Sequence, residues 1–346
     1  MSNRAEAEQV REPAESWPGE PERRPRRRIF GIGAILLAVP ILLWLGAGFF
    51  VARSLRYPDF LRRGRQDVFG QHVPNFQRGS ITDIGKALGV DPERFDSGLV
   101  EEDGLGHHQV SVVSWYFPGK RRQVVVILPG AGAPETSMIP YVKFLLADGF
   151  TVVAAYSANN PKYGINWGML KRKFALATAR TLMNQGFTQI AALGISEGAA
   201  GAIMAQAEQP VFSAIVADSS YANLERLFIR SPSLARMNPA FLSTVMWEAE
   251  FWFGRPLDKI SPVTDAASLG SCSLLIIQNS GDQVTPPEDG KALLDAAGFD
   301  AQMWTVPSRG HGDAIYEYPA EYAQRVSKFL NASFEVEVPL PKPLGP

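Results

Sequence analysis

The chain has a single cysteine, Cys272, in 346 residues, which excludes any disulfide within it. Histidine is scarce as well, at four residues, and beside one thiol that is a poor supply for a soft-ligand metal site. No excess of either charge marks the molecule: 34 Lys and Arg against 35 Asp and Glu leave a net charge of −1. The electrostatic footprint of a nucleic-acid binder is therefore missing. No nucleic-acid partner is expected from this composition. What the chain has in quantity is apolar surface. It is 46% hydrophobic and 20% charged, enough for a substantial core and too apolar for wholesale disorder. Cys272 stands just before the apolar run SLLIIQ, where a buried, inert thiol is expected.

Charge is absent altogether from one stretch, IFGIGAILLAVPILLWLGAGFFVA, residues 29–52. As a helix it would extend about 36 Å at 1.5 Å per residue, enough to cross a hydrocarbon core of roughly 30 Å. Pro40 is tolerable in such a span, because neighbouring groups can satisfy the backbone it frees. A core helix would rarely stay charge-free for so long. A cleaved signal peptide would show a shorter apolar region and a small-x-small cleavage site. The reading is one transmembrane helix at 29–52, preceded by a polar, Glu-, Pro- and Arg-rich disordered tail at 1–28. Five arginines in RRPRRR, residues 23–28, draw the N-terminus to the cytoplasm, whereas Arg53, Arg56, Arg62, Arg63 and Arg65 argue the other way. The denser cluster favours N-in, with the main domain extracytoplasmic. Residues 53–109 read as a connector, with the anchor separable at residue 52.

From residue 110 the chain alternates. VSVVSWYF, QVVVILP, TVVAAYS, IAALGI, AIVAD, SLLIIQ and AQMWTVP are short apolar strand candidates. Between them SMIPYVKFLLADG, NWGMLKRKFALATARTLMNQG and SEGAAGAIMAQAE carry helical spacing. Strands apolar on both faces, separated by helices, predict an open α/β sheet, mostly parallel, with helices on both faces. One connection, between AIVAD and SLLIIQ, is too long for a loop. Its helical, aromatic-rich sequence reads as a helical lid insertion at about 221–258. Within it Trp247, Phe251 and Trp252 are either core residues of an extra helix or the lining of a substrate pocket. The domain is expected over 110–332, with a Pro-rich tail at 333–346. The bilayer is the expected partner of residues 29–52.

Ser196 lies between IAALGI and the small-residue run GAAGA. A serine on a sharp strand-to-helix turn needs small neighbours two residues away, and Gly194 and Gly198 provide them. A helix starting at Glu197 would direct its positive end toward an anion formed at the serine. A serine hydroxyl also needs a base, and His311 stands between glycines in SRGHGD after a strand candidate. Asp282, in the turn-rich loop of LLIIQNSGDQVTPPE, is placed to orient the imidazole. Asp218, at the end of AIVAD, is the competing acid. The order Ser196, Asp282, His311 is that of the α/β-hydrolases.

Over roughly residues 110–332 the chain resembles the α/β-hydrolase superfamily, and within it the membrane-anchored, Bem46-like serine hydrolases. The resemblance rests on SWYFPG, VVVILPGAG, GISEG, LLIIQNSGDQVTPPE and GHGD in this order. It implies an α/β-hydrolase fold and an oxyanion hole made of the backbone N–H groups of Glu197 and Ala131. Where the family usually begins that loop with His-Gly, this chain has Pro129-Gly130. The Glu197 side chain is unusual beside a nucleophile, and is expected to point to solvent or to a helix-capping partner. His107 and His108 read as a turn or strand edge, His72 as a surface residue and Asp313 as a structural cap. These features together describe a membrane-anchored serine hydrolase of a small-molecule or lipid-like acyl substrate, cleaving an ester, thioester or amide through an acyl-enzyme with no cofactor or metal needed. A serine peptidase of the same fold and an inactive hydrolase-fold scaffold are the alternatives.

Overall fold

The computed structural model describes residues 27–56, 85, 88–101, 109–133, 135–155 and 165–335. His72, His107 and His108, the tail up to residue 26, and the Pro-rich end from residue 336 lie outside them.

A long helix, α1 (Arg27–Arg56), comes first. The strands are β1 (Glu93–Glu101), β2 (Gln109–Phe117), β3 (Val124–Leu128), β4 (Thr151–Ala155), β5 (Ile190–Ile195), β6 (Ala214–Asp218), β7 (Ser273–Asn279) and β8 (Ala301–Val306). Interleaved with them are α2 (Ile139–Ala147), α3 (Met169–Asn184), α4 (Glu197–Glu208), α5 (Leu224–Arg230), α6 (Pro239–Phe253), α7 (Pro262–Ala266), α8 (Pro287–Ala297), α9 (Ala314–Glu317) and α10 (Pro319–Glu335). The strands form one sheet in the order β1-β2-β4-β3-β5-β6-β7-β8. β2 is antiparallel to both its neighbours, and every pairing from β4 to β8 is parallel.

Alternate residues of each strand face opposite sides of the sheet, and each side has its own helical layer. Val124, Val126, Ala192, Ile215 and Ile276 pack with Phe174, Leu182, Ile203 and Leu293 from α3, α4 and α8. Val125, Ile127, Leu193, Val216 and Ile277 pack with Tyr141, Leu145, Tyr322 and Leu330 from α2 and α10. Burial on both faces explains why the strands from β3 to β6 are apolar apart from Thr151 at the start of β4 and Asp218 at the end of β6. Cys272 belongs to the first of these layers, and burial raises its thiol pKa far above the ordinary range.

The sheet starts before residue 110. Residues 93–101, assigned to the connector by sequence, are the edge strand β1 paired along β2. The alternation there is weak because the register shifts between Asp96 and Leu99, which breaks the period of two, and because the strand is mostly exposed. At the other end α10 runs to Glu335 and buries Ser333 and Phe334, so the first residues of the expected tail are core.

By contacts the chain divides into residues 1–44 and 45–346. In the first unit α1 is apolar and exposed at Val39, Ile41, Leu42 and Leu43. The stretch Ala38–Arg56 is long and apolar enough to cross a membrane, as a membrane span or a signal sequence would be. In the second unit the last turns of α1 are packed into the protein, with Ala52 and Arg56 buried. There they join a third apolar cluster with Leu224, Phe228, Val245, Ala249 and Phe253 of the insertion. The boundary expected at residue 52 therefore falls inside a packed element.

Candidate active site

The carboxyl ends of β5, β7 and β8 deliver three side chains to one place. Ser196 follows β5 with φ 52° and ψ −114°, a region that residues with a Cβ seldom occupy. The glycines on either side are what permit it. A Cβ on Gly194 would lie 2.4 Å from the backbone nitrogen of Ala199. One on Gly198 would lie 2.0 Å from the carbonyl oxygen of Leu128. The turn is fastened to the next strand by the Ser196 N–H, which donates to the Asp218 carbonyl at 2.8 Å.

His311 Nε2 lies 2.8 Å from Ser196 Oγ, and its Nδ1 lies 2.7 Å from Asp282 Oδ2. The loop after β7 holds Asp282 by its other oxygen, which accepts the N–H groups of Val284 at 2.8 Å and Thr285 at 3.0 Å. Thr285 Oγ1 is 2.9 Å from Asp282 Oδ2. The His311 loop is tied on both sides. Asn279 Nδ2 donates to the Gly310 carbonyl at 2.7 Å, and Gly312 N–H donates to Ser219 Oγ at 3.1 Å. Gly312, at φ 69°, takes a left-handed turn that a side chain would strain.

Of the two candidate acids, Asp282 meets the imidazole. Asp218 is fully buried and turned toward a different set of partners: Ser219 Oγ donates to it at 2.9 Å and Tyr322 Oη at 3.0 Å. Burial pushes its pKa up to about 6, against the opposing effect of those two donors. Asp313 occupies the N-cap position of α9 without a side-chain capping bond. Its backbone carbonyl instead accepts the N–H groups of Tyr316 and Glu317.

Glu197 is the first residue of α4, where N–H groups have no intrahelical partner. Gly130 brings the other loop close, since a Cβ on it would be 3.6 Å from Ser196 Cβ. Ala131 follows in that turn. The Glu197 side chain is buried, so of the two expected directions the solvent one is excluded. Its Oε1 accepts the N–H of Gly168, the N-cap residue of α3, at 3.0 Å.

The opposite oxygen faces a residue that sequence reasoning missed. Lys171 Nζ lies 3.6 Å from Glu197 Oε2 and donates to the Pro129 carbonyl at 3.0 Å. Lys171 is 1% exposed, and burial lowers its pKa against the raising effect of Glu197. The signal was present in the spacing: Lys171, Phe174, Ala175 and Thr178 share the buried face of α3. A lysine at a core position of an amphipathic helix has to find a partner.

In the insertion, only one of the three aromatics is core. Trp252 is buried, whereas Trp247 and Phe251 are exposed. The buried stripe of α6 runs through Val245, Ala249, Trp252 and Phe253, and the other two fall off it.

A model of an α/β-hydrolase family, described as TAP-like protein, matches residues 237–334. That segment takes in α6, Asp282 and His311 but not Ser196. No curated protein matches the chain significantly in sequence. Among solved structures, an esterase of Pyrococcus furiosus is similar at 20% identity and a TM-score of 0.56, over 74% of this chain and 96% of its own. A puromycin-hydrolyzing peptidase of Mycobacterium tuberculosis is similar at 19% identity and a TM-score of 0.54, over 72% of this chain and 40% of its own. The acylaminoacyl peptidase of Pyrococcus horikoshii is similar at 16% identity and a TM-score of 0.52, over 74% of this chain and 43% of its own.

Proposed function

We propose that this chain, which has the α/β-hydrolase fold, is a membrane-anchored serine hydrolase that cleaves an ester, thioester or amide through an acyl-enzyme. One observation carries the reading: Ser196, His311 and Asp282 stand in line at 2.8 and 2.7 Å beyond the carboxyl ends of parallel strands. With the Nδ1 proton donated to Asp282, His311 Nε2 is the acceptor for the Ser196 hydroxyl proton. Ser196 Oγ then attacks the acyl carbon, and the imidazolium formed is stabilised by the buried carboxylate. His311 returns the proton to the leaving group, and water repeats the sequence in reverse to release the acid. The developing oxyanion is assigned to the N–H groups of Glu197 and Ala131. Backbone donors held in place before the reaction stabilise such a charge with little reorganisation.

A carboxylic ester is favoured over a peptide bond, because the overlap with the Pyrococcus furiosus esterase covers 96% of that protein, against 40% and 43% of the two peptidases. The apolar helix α1 supports a bilayer as partner and a lipid-like acyl group as substrate, with the arginines of residues 23–28 on the cytoplasmic side. The narrower likeness to the Bem46-like group rests on the sequence motifs. The test is covalent labelling by a fluorophosphonate probe. Wild-type protein should be labelled at Ser196 and should hydrolyse a short p-nitrophenyl ester, and Ser196→Ala should do neither while remaining folded. Full hydrolysis by Ser196→Ala would place the nucleophile elsewhere, and an unlabelled, inactive wild type would favour the scaffold.

A further inference from the structure

Within residues 45–346, the last turns of α1 form one wall of the insertion. Gly48 approaches α6 so closely that a Cβ on it would lie 2.5 Å from Glu248 Oε2 and 3.2 Å from Thr244 Cγ2. The rings of Phe49 and Trp252 meet at 5.0 Å. The Arg56 guanidinium donates to the Trp252 carbonyl near the end of α6. The carbonyls of Leu55 and Arg56 are taken by Trp167 Nε1 at 3.0 Å and the Ile165 N–H at 2.7 Å.

This docking sorts the faces of α6. Thr244, Glu248 and Trp252 meet α1, while Val245, Ala249 and Phe253 are buried in the core. Trp247 and Phe251 lie one turn apart, each about 60° round the helix from the α1-facing residue of its turn and away from the core side. They are 68% and 63% exposed, and Phe50 beside the docked Phe49 is 71% exposed. Large aromatics so exposed on one flank call for a partner.

The length of α1 indicates which partner. The charge-free run begins at residue 29 and ends at Ala52. Its residues before Leu45 extend only about 24 Å as a helix, short of a hydrocarbon core of roughly 30 Å. The turns that carry α6 must therefore enter the bilayer or its headgroup zone for α1 to span it. α6 goes where those turns go. Tryptophan and phenylalanine beside such a span match the aromatic belt that membrane proteins place at the interface, where an apolar ring body is buried among lipid.

We infer that the lid helix α6 lies on the lipid surface, with Trp247 and Phe251 seated in the bilayer interface beside α1. This rests on the membrane-anchor part of the reading above and adds that the insertion between β6 and β7 is itself a lipid-contacting element.

The test uses the full chain in phosphatidylcholine vesicles. Trp247→Cys, Phe251→Cys and, as a control, Phe299→Cys are each labelled with a polarity-sensitive fluorophore. The native Cys272 is buried and its thiol is held protonated, so it leaves the labelling specific. Phe299 is fully exposed in the turn before β8, with no α1 contact to bring it to lipid. Labels at 247 and 251 should shift to the blue and be quenched several-fold more strongly by a nitroxide carried on the lipid headgroup than the label at 299. Equal quenching at the three positions would overturn the inference. So would a label at 247 shielded in detergent without lipid in a dimeric protein, which would make a second copy the occupant. Co-sedimentation with the vesicles reads the anchor separately. Protein that sediments with membrane but shows no selective quenching loses only the lid inference, whereas protein left in the supernatant loses both.

Discussion

Lys171 and Glu197, the residue after the candidate nucleophile, meet at 3.6 Å in the protein interior, 1% and 5% exposed. Between them they hold the Pro129 carbonyl and the Gly168 N–H, and so join α3, the turn at Ser196 and the loop that carries Ala131. Removing one member of a buried pair strands the other charge, at a cost of about 3–5 kcal/mol. Lys171→Met is therefore expected to lower the unfolding free energy by that order and to reduce turnover more than it alters KM, since both proposed oxyanion donors adjoin the pair. Lys171→Met with Glu197→Gln should recover most of the stability. Chemical denaturation and active-site-titrated kinetics on one ester check both; a single variant as stable and active as wild type would refute the linkage.

The two aspartates make a paired prediction. Asp282 touches the imidazole and Asp218 does not, so Asp282→Asn should reduce turnover by a factor on the order of 10⁴, the size of effect found when this role is lost in another serine hydrolase. Asp218→Asn perturbs the support of the site through Ser219 and Tyr322, and a loss of about tenfold corresponds to only about 1.4 kcal/mol in the barrier. Turnover of both variants, with circular dichroism to verify folding, decides between them. A severe loss at 218 beside a mild one at 282 would reverse the assignment.

Asp218 also predicts a pH dependence. Its pKa is raised from 3.8 to about 6 in the folded state, so the folded protein favours the protonated carboxyl more than the unfolded chain does. Its contribution to stability is fully present below pH 3.8 and is lost as pH rises through about 6. The stability of wild type relative to Asp218→Asn should fall across that window by up to about 3 kcal/mol and level off above it. Denaturant melts of both proteins at a series of pH values measure this; a difference that grows with rising pH would contradict it.

The truncation expected from the sequence, at residue 52, is revised by the packing. Deleting residues 1–44 should leave a protein that unfolds cooperatively and hydrolyses ester. Deleting residues 1–56 removes Ala52 and Arg56, both fully buried, and uncovers Trp252. The second protein should melt at a clearly lower temperature or aggregate. Thermal melts and active-site titration of the two deletions compare them, and equal melting temperatures would show that the docked turns contribute nothing.

Much of this protein is a local property of its sequence. The strands from β3 to β7 could be read from short runs apolar on both faces, because burial between two helical layers imposes that composition directly. Ser196 could be read because the strain of its turn is relieved within two residues, by Gly194 and Gly198. Asp282 and His311 stood out because each follows a strand in a glycine- or turn-rich loop, which is where a parallel sheet gathers its functional groups. Other features depend on segments far apart in the chain. β1 is exposed on one side and acquires its identity only by pairing with β2. The last turns of α1 look like the rest of an apolar run until Gly48, Ala52 and Arg56 are seen against α6. Lys171 reads as one more charge on a helix until its position is found to be buried, where Glu197 and the Pro129 carbonyl offset its desolvation. The sequence favoured Asp282 over Asp218 by its turn-rich loop, but Asp218 ends β6 and Asp282 lies just beyond β7. Only the fold decides which carboxylate reaches the imidazole and which is turned toward Tyr322.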